Sequence, residues 1–371
     1  MKVLHVYRTY FPDTQGGLEE VVRQICFNTK SLGVESRVFT LATSGEPSVV
    51  HRPEADVYRF NQTFEIASCG VALSAFNGFK RLVEWADVVH VHFPWPFADL
   101  LCLLVRFDKP LIVTYHSDIV RQRGLRTFYN PMMHTLLRRA NRIIATSPQY
   151  VETSPVLKMY RDRVAVVPIG LDENVHPEVS ESEVGAIKEL VGDDFFLFVG
   201  VLRYYKGLSF LIDAVSGTNI KIVIAGDGPE SNQLRFQALS LGAENVQFLG
   251  YVSDNEKIAL MNLTRGIVFP SHLRSEAFGV TLLEGAMYSK PLISADIGTG
   301  ANYVNEHGVT GVVVPPADPQ ALRMALLQLL EFPERSMQMG RAARDRFERL
   351  FTGQKMGASY LEHYEAVCAS A

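Results

Sequence analysis

Short, continuous apolar runs recur along the chain, and longer stretches with apolar residues three or four apart lie between them. The first pattern suits strands buried on both faces, and the second suits helices with one buried stripe. In the first half the runs predict strands at Val3–Tyr7, Ser36–Leu41, Val88–His92, Leu111–Tyr115, Arg142–Thr146 and Val164–Val167, with helices such as Leu18–Ser31 and Phe128–Ala140. In the second half they predict strands at Phe195–Gly200, Ile220–Ala225, Val246–Leu249, Ile267–Phe269, Leu292–Ala295 and Gly311–Val314. Helical patterns there cover Leu208–Ala214, Gln233–Leu241, Asp254–Met261, Val280–Ser289 and Asp318–Leu330. Strand-then-helix order with short links predicts parallel sheets with helices on both faces. The order restarts after Pro168-Ile169-Gly170-Leu171-Asp172, and Pro177 to Glu183 is polar and acidic, as a linker would be. The expectation is an α/β protein of two Rossmann-like doubly wound domains, residues 1–172 and 173–352, facing a central cleft. Such sheets bind ligands at the carboxyl ends of their strands, so the loops after the strands are where chemistry is sought.

Composition leaves this picture in place and narrows the function. The 371 residues are 47% apolar and 20% charged, which excludes a disordered chain, a collagen-like repeat and a disulfide-rich miniprotein. A net charge of −4 argues against a general nucleic-acid binder. Residues 1–170 balance to +5 and residues 171–371 to −9, which fits two lobes with different partners; chance surface variation is the alternative. The four cysteines form no CxxC or zinc-like spacing, so a reduced, cytoplasmic protein is expected. No signal-peptide pattern opens the sequence, and no apolar run reaches the roughly 18–20 residues that span a bilayer.

Five places carry candidate chemistry. Gly16-Gly17 follows the first strand and opens a helix, where backbone N–H groups could meet an anion; an ordinary turn is the alternative. Arg203 and Lys206 lie in the loop after the strand Phe195–Gly200, where a planar fork and a point charge could hold a diphosphate. Gly226-Asp227-Gly228-Pro229 is half of a dinucleotide fingerprint without its third glycine, which disfavours NAD and suggests a turn against which a base could rest. Glu276 and Glu284 bracket a predicted helix start near Phe278 or Gly279, in surroundings too apolar for a solvated face. Two carboxylates there could take hydroxyls on either side of a phosphate held by the helix N-terminus. His116 follows the strand Leu111–Tyr115 and could bond a sugar hydroxyl, although a lone histidine is more often structural.

With these residues, the chain resembles glycosyltransferase family 4, retaining enzymes of the GT-B fold. The resemblance covers nearly the whole sequence: Gly16-Gly17, Thr114-Tyr115-His116, Val167 to Asp172, Arg203 with Lys206-Gly207, Gly226 to Pro229, the Glu276/Glu284 pair and Gly308-Val309-Thr310-Gly311. It implies that Arg203 and Lys206 bind a donor diphosphate and that Glu284 holds ribose hydroxyls. Glu276 and the backbone of Phe278, Gly279 and Val280 would hold the donor sugar and phosphate. Gly16 would approach the phosphate, His116 would contact the sugar, and Val252, in Gly250-Tyr251-Val252, would lie near the base. The family also implies that the last helix, 353–371, returns to the N-terminal domain. Tyr204-Tyr205 is bulkier than the family pattern at that loop.

No Asp-x-Asp occurs, so no metal or other cofactor is expected beyond the nucleotide-sugar donor, and a front-face retaining reaction is implied. Ser271 to Glu276 and Pro291 to Gly300 resemble bacterial mannosyl- and rhamnosyltransferases of O-antigen assembly. That points to GDP-mannose or a GDP-deoxymannose, with a polyprenyl-diphosphate-linked oligosaccharide as acceptor; a UDP-sugar donor, or a nucleotide-sugar isomerase on the same fold, are the alternatives. Between Arg121 and Arg142, six arginines (121, 123, 126, 138, 139, 142) alternate with Phe128, Tyr129, Met132 and Met133. This suits peripheral contact with the anionic inner membrane; a helix face covering the core is the other reading.

Overall fold

The computed structural model describes residues 1–44, 48–66, 69–118 and 123–370. The chain divides into two units, Met1–Gly170 together with Gly353–Ala371, and Leu171–Thr352. The division falls after Gly170 rather than after residue 172.

The first unit carries β1 (Lys2–Val6), β2 (Glu35–Ala42), β3 (Val49–His51), β4 (Asp56–Asn61), β5 (Phe64–Ile66), β6 (Cys69–Val71), β7 (Val88–Phe93), β8 (Leu111–Tyr115), β9 (Arg142–Ala145) and β10 (Val164–Val166). Eight of them form one sheet in the order β10-β9-β8-β7-β1-β2-β4-β3, parallel except for β3, while β5 and β6 make a separate antiparallel pair. The chain builds outward in one direction from β1 and in the other from β7, so β1 and β7 flank the point where the winding reverses. One sheet face packs Leu4, Val6, Val89, Val91 and Val113 into the main core. The helix Gly353–Ala369 packs closely on the helix Gly17–Lys30. A Cβ at Gly353 or Gly357 would come within 2.5–2.8 Å of Asn28, so two glycines one helical turn apart let the backbones approach.

The second unit carries β11 (Phe195–Val199), β12 (Lys221–Ala225), β13 (Val246–Gly250), β14 (Gly266–Phe269), β15 (Leu292–Ala295) and β16 (Gly311–Val314). All pairs are parallel, in the order β13-β12-β11-β14-β15-β16. Here the winding reverses between β11 and β14. The expected doubly wound α/β architecture is present in both units.

Two readings of the sequence are corrected. The acidic stretch Pro177 to Glu183 is not a plain linker: Ser180 caps the helix Glu181–Val191, its hydroxyl accepting from the Glu183 N–H while the Glu183 carboxylate takes the Ser180 N–H. Residues between β2 and β7, left without elements by the apolar pattern, form short half-exposed strands and the helix Ala75–Trp85. Among the described residues, no helix is long and apolar enough to cross a membrane.

Candidate functional site

In the second unit the loops after β11 and β14 flank the switch point, the place where doubly wound sheets take ligands. They are fixed to each other. Gly207 is left-handed (φ 69°), and a Cβ there would stand 2.1 Å from the Pro270 carbonyl oxygen. The His272 N–H donates to the Tyr205 carbonyl at 3.0 Å. This packing brings Lys206 and Glu276 together: the Lys206 ammonium donates to Glu276 Oε2 at 2.5 Å, with both side chains only 13% and 12% exposed. Ser271 Oγ donates to the same oxygen at 3.3 Å, and the ammonium sits 4.8 Å over the Phe269 ring. Arg203, in the same loop, is exposed, and no ion pair joins it to another described residue.

Glu276 lies in the loop before the helix Val280–Met287, whose N-cap is Gly279 in left-handed conformation (φ 87°). The helix thus starts one residue beyond Gly279, with Phe278 and Gly279 buried. Its first N–H groups have no partner within the helix, and its dipole is positive at this end. Glu284 sits in the helix interior, 7% exposed, and its Oε1 accepts from Lys257 at 2.8 Å. Lys257 lies on the helix Asp254–Leu263, which starts at the Ser253 cap directly after Val252. Sequence reading missed Lys257, because nothing local to it announces a partner on another helix. The second unit therefore holds two lysine–glutamate pairs, Lys206–Glu276 in the loops after β11 and β14 and Lys257–Glu284 between the helices Asp254–Leu263 and Val280–Met287, with Arg203 in the loop after β11. Such a constellation can bind a dianionic diphosphate without placing an unpaired charge in the protein when the ligand leaves.

The Gly226/Gly228 turn has an internal reason. Gly226 (φ 132°) would place a Cβ 2.0 Å from the Gly200 carbonyl oxygen, and Gly228 one 2.6 Å from the Leu202 carbonyl oxygen. Leu202 N–H donates to Asp227 O at 2.9 Å, so these glycines seat the loop that carries Arg203 and Lys206.

In the first unit Gly16 is the extended N-cap of the helix Gly17–Lys30 (φ −159°), so it needs no left-handed freedom. A Cβ there would lie 2.6 Å from Glu19 Oε2, and Glu19 Oε1 accepts from Thr9 and Thr14 at 2.8 and 3.2 Å. An anion at this helix start would meet the Glu19 carboxylate. His116 is 1% exposed, and its Nε2 is 3.0 Å from His92 Nδ1. His92 Nε2 in turn lies 3.1 Å from His5 Nδ1, and beside them His90 bonds Tyr364 and Thr114 at 2.8 and 2.7 Å. Burial pushes His5 and His116 down to about 3 and holds His90 and His92 well below the usual range, so all four are neutral. This ladder was missed, although histidines two apart in the otherwise apolar run Val88–His92 do mark one polar sheet face. Asp118 accepts from Tyr115 and Ser154 at 2.9 and 2.7 Å, so it braces the loop after β8.

The arginine segment reads differently once seen. Residues 119–122, with Arg121, and the side chains of Arg123, Arg126 and Phe128 lie outside the described residues. In the described part, Met133 is buried, and Arg139 donates to the Cys102 and Phe107 carbonyls with its guanidinium 3.9 Å over the Phe107 ring. Tyr129 donates to the buried Asp99. Met133, Tyr129 and Arg139 are thus engaged within the protein, while Arg138 is exposed.

Burial raises the Asp99 carboxyl to about 7. The unfolded chain ionises this acid from about pH 4, whereas the folded chain keeps its proton to about 7. Stability therefore falls as pH rises through that window. Asp99→Asn should flatten the fall, by on the order of 2 kcal/mol between about pH 5 and pH 7, read from urea midpoints at each pH. Parallel slopes for the two proteins would contradict it.

Two doubly wound units, one of them with paired lysines and glutamates at the loops of its switch point, fit the GT-B architecture. Comparison gives the family directly: residues 16–170 match the glycosyl transferase 4-like domain and residues 181–346 match glycosyl transferases group 1. The chain is 49% identical to the D-rhamnosyltransferase WbpZ of Pseudomonas aeruginosa over 95% of its own length and 92% of that protein. It is 44% identical to the O-antigen chain mannosyltransferase C of Escherichia coli over the full length of both. Among solved structures it superposes on sucrose-phosphate synthase of Thermosynechococcus elongatus with a TM-score of 0.80 at 18% identity, covering all of both chains. Anabaena HepE in complex with UDP and glucose gives 0.79 at 20%, covering 98% and 99%. The chain belongs to glycosyltransferase family 4 and is a glycosyltransferase.

Proposed function

We propose that the protein is a retaining, metal-independent hexosyltransferase that takes mannose from GDP-mannose, or a deoxymannose such as rhamnose from its GDP form. The acceptor is a polyprenyl-diphosphate-linked oligosaccharide of O-antigen assembly, met by a cytoplasmic protein at the inner membrane surface. The observation that carries this reading is the Lys206–Glu276 pair at the β11/β14 switch point, beside the start of the helix Val280–Met287. The sugars named for the 49% and 44% identical relatives support the choice of donor.

In this reading Arg203 and Lys206 grip the diphosphate, and Phe278, Gly279 and Val280 offer backbone N–H groups to it. Glu284, oriented by Lys257, takes ribose hydroxyls, Glu276 takes a sugar hydroxyl, and Val252 lies against the base. The resemblance adds Gly16 and Gly17, which would meet the ligand backbone-first once the Glu19 carboxylate turns aside, and His116, which would bond the sugar. The anomeric carbon–oxygen bond to the phosphate breaks, and the fixed cations stabilise the charge that appears on the leaving oxygen. The acceptor oxygen bonds the same face of that carbon and gives its proton to the departing phosphate. Arg203 and Lys206 supply two cations for the diphosphate and the sequence has no Asp-x-Asp, which supports diphosphate binding without a divalent ion.

The test is a donor panel of GDP-mannose, GDP-rhamnose, UDP-glucose and UDP-galactose, with and without a mannosylated lipid-diphosphate acceptor. Acceptor-dependent GDP release, a hexose or deoxyhexose mass gain with retained anomeric configuration, and unchanged turnover in EDTA are expected. Epimerised donor without acceptor would favour an isomerase, and UDP release would overturn the donor. Sedimentation with anionic vesicles at low salt tests the membrane contact; protein left wholly in the supernatant would remove it.

A further inference from the structure

The histidine ladder in the first unit has a property that no single histidine has. Register pairs His5 with His90 and His92 with Thr114, so His5, His90, His92, Thr114 and, two residues on, His116 stand on one sheet face. Tyr360 and Tyr364 of the helix Gly353–Ala369 cover that face; Tyr360 OH lies 3.0 Å from Thr114 Oγ1. Three of the imidazoles run head to tail: His116 Nε2 to His92 Nδ1 at 3.0 Å, and His92 Nε2 to His5 Nδ1 at 3.1 Å. Their two outer nitrogens, His116 Nδ1 and His5 Nε2, are buried without a hydrogen-bond partner.

A neutral imidazole carries one N–H. Three neutral rings hold three such protons; two lie in the two N···N bonds, and the third must sit at one end. If it sits on His116 Nδ1, all three rings are Nδ1–H tautomers and His5 Nε2 is bare. If it sits on His5 Nε2, all three are Nε2–H tautomers and His116 Nδ1 is an acceptor. A mixed set would face two N–H groups or two lone pairs across one bond.

We infer that His5 and His92 are positioning residues that lock His116 into one tautomer, and so decide whether its Nδ1 donates to or accepts from a bound hydroxyl. The catalytic consequence rests on the reading that His116 meets a sugar hydroxyl; the tautomer coupling does not. The atoms of His5, His90 and His92 also lie within 4.8 Å of one another, close enough for a metal ion. Both His90 nitrogens are already bonded, to Tyr364 and Thr114, and both His92 nitrogens, to His5 and His116, so a metal would have to break bonds of each, and the hydrogen-bonded ladder is the better account.

The test is imidazole 15N NMR of the full-length protein with labelled histidine. The expected result is one shared tautomer for His5, His92 and His116; a mixed set overturns the inference in the wild-type protein, with no variant needed. In His5→Phe the His116 nitrogen shifts should change and kcat should fall about 10-fold, the lower end of the loss when a metal-ligating histidine loses its orienting partner. His5→Asn, whose amide reaches the Nδ1 position, should recover most of kcat with an unchanged KM for donor. Unchanged His116 shifts in His5→Phe, or stoichiometric zinc binding to wild type that this variant loses, would also overturn it. If instead His116→Ala turns over normally while the three tautomers are shared, the sugar-binding reading fails and the coupling stands.

Discussion

Lys206→Ala is expected to lower kcat/KM for the nucleotide sugar by about 10²- to 10³-fold, the range lost with one fixed group that stabilises charge on a departing oxygen. The circular dichroism spectrum should stay that of the wild type. The reason is the setting of the ammonium. It is 13% exposed, held at 2.5 Å from Glu276 between two loops that pack through Gly207 and Pro270, so its position is fixed before ligand arrives. One of its three N–H donors serves Glu276, which leaves donors for phosphate oxygens. Glu276→Gln should also reduce turnover, because it removes the carboxylate and loosens the lysine. The two losses should not multiply in Lys206→Ala/Glu276→Gln: groups that act as one pair are coupled, and a cycle of the four proteins measures that coupling. Turnover of Lys206→Ala within three-fold of wild type would remove the lysine from the diphosphate grip, and strictly multiplicative losses would show that the pair does not act as a unit.

What the sequence disclosed follows from where each signal is encoded. The parallel strands were legible because a strand buried on both faces must be apolar throughout, as in Phe195–Val199. The strands β3 to β6 were not, since these short, half-exposed segments mix polar and apolar residues. The capping box Ser180-x-x-Glu183 is a written helix start, but its acidic residues read as a linker when counted as composition. In the site, Arg203, Lys206, Glu276 and Glu284 stood out because charges in strand-end loops and apolar surroundings need a reason. The pairing of Lys206 with Glu276 across 70 residues, and of Lys257 with Glu284 across 27, is set by strand order and helix packing. No local pattern contains that. Gly226 and Gly228 look like a nucleotide motif in the sequence, whereas their spatial neighbours are the carbonyls of Gly200 and Leu202.

Those carbonyls give Gly226→Ala a large structural effect. Its methyl group would have to occupy a point 2.0 Å from the Gly200 carbonyl oxygen, a backbone atom that no side-chain rotation can clear, and at φ 132° an L-residue is strained as well. Overpacking and backbone strain each cost about 1–3 kcal/mol, so a loss of roughly 3 kcal/mol in unfolding free energy is expected. The structure can relieve the clash by moving residues 200–203 away from β12, and that movement breaks the Leu202 N–H to Asp227 bond and the Gly200 N–H to Ala225 bond. The same loop carries Arg203 and Lys206, so donor KM should rise together with the loss of stability. Gly217→Ala is the control: Gly217 is also left-handed (φ 69°) but has nothing within 4 Å of its built Cβ. It should lose about 1 kcal/mol from backbone strain and leave donor KM unchanged. Urea midpoints and donor KM for the two variants separate the cases. Equal midpoints for Gly226→Ala and Gly217→Ala would show that the carbonyl contact does not hold the loop, and a Gly226→Ala protein with wild-type KM would show that the loop does not place the grip.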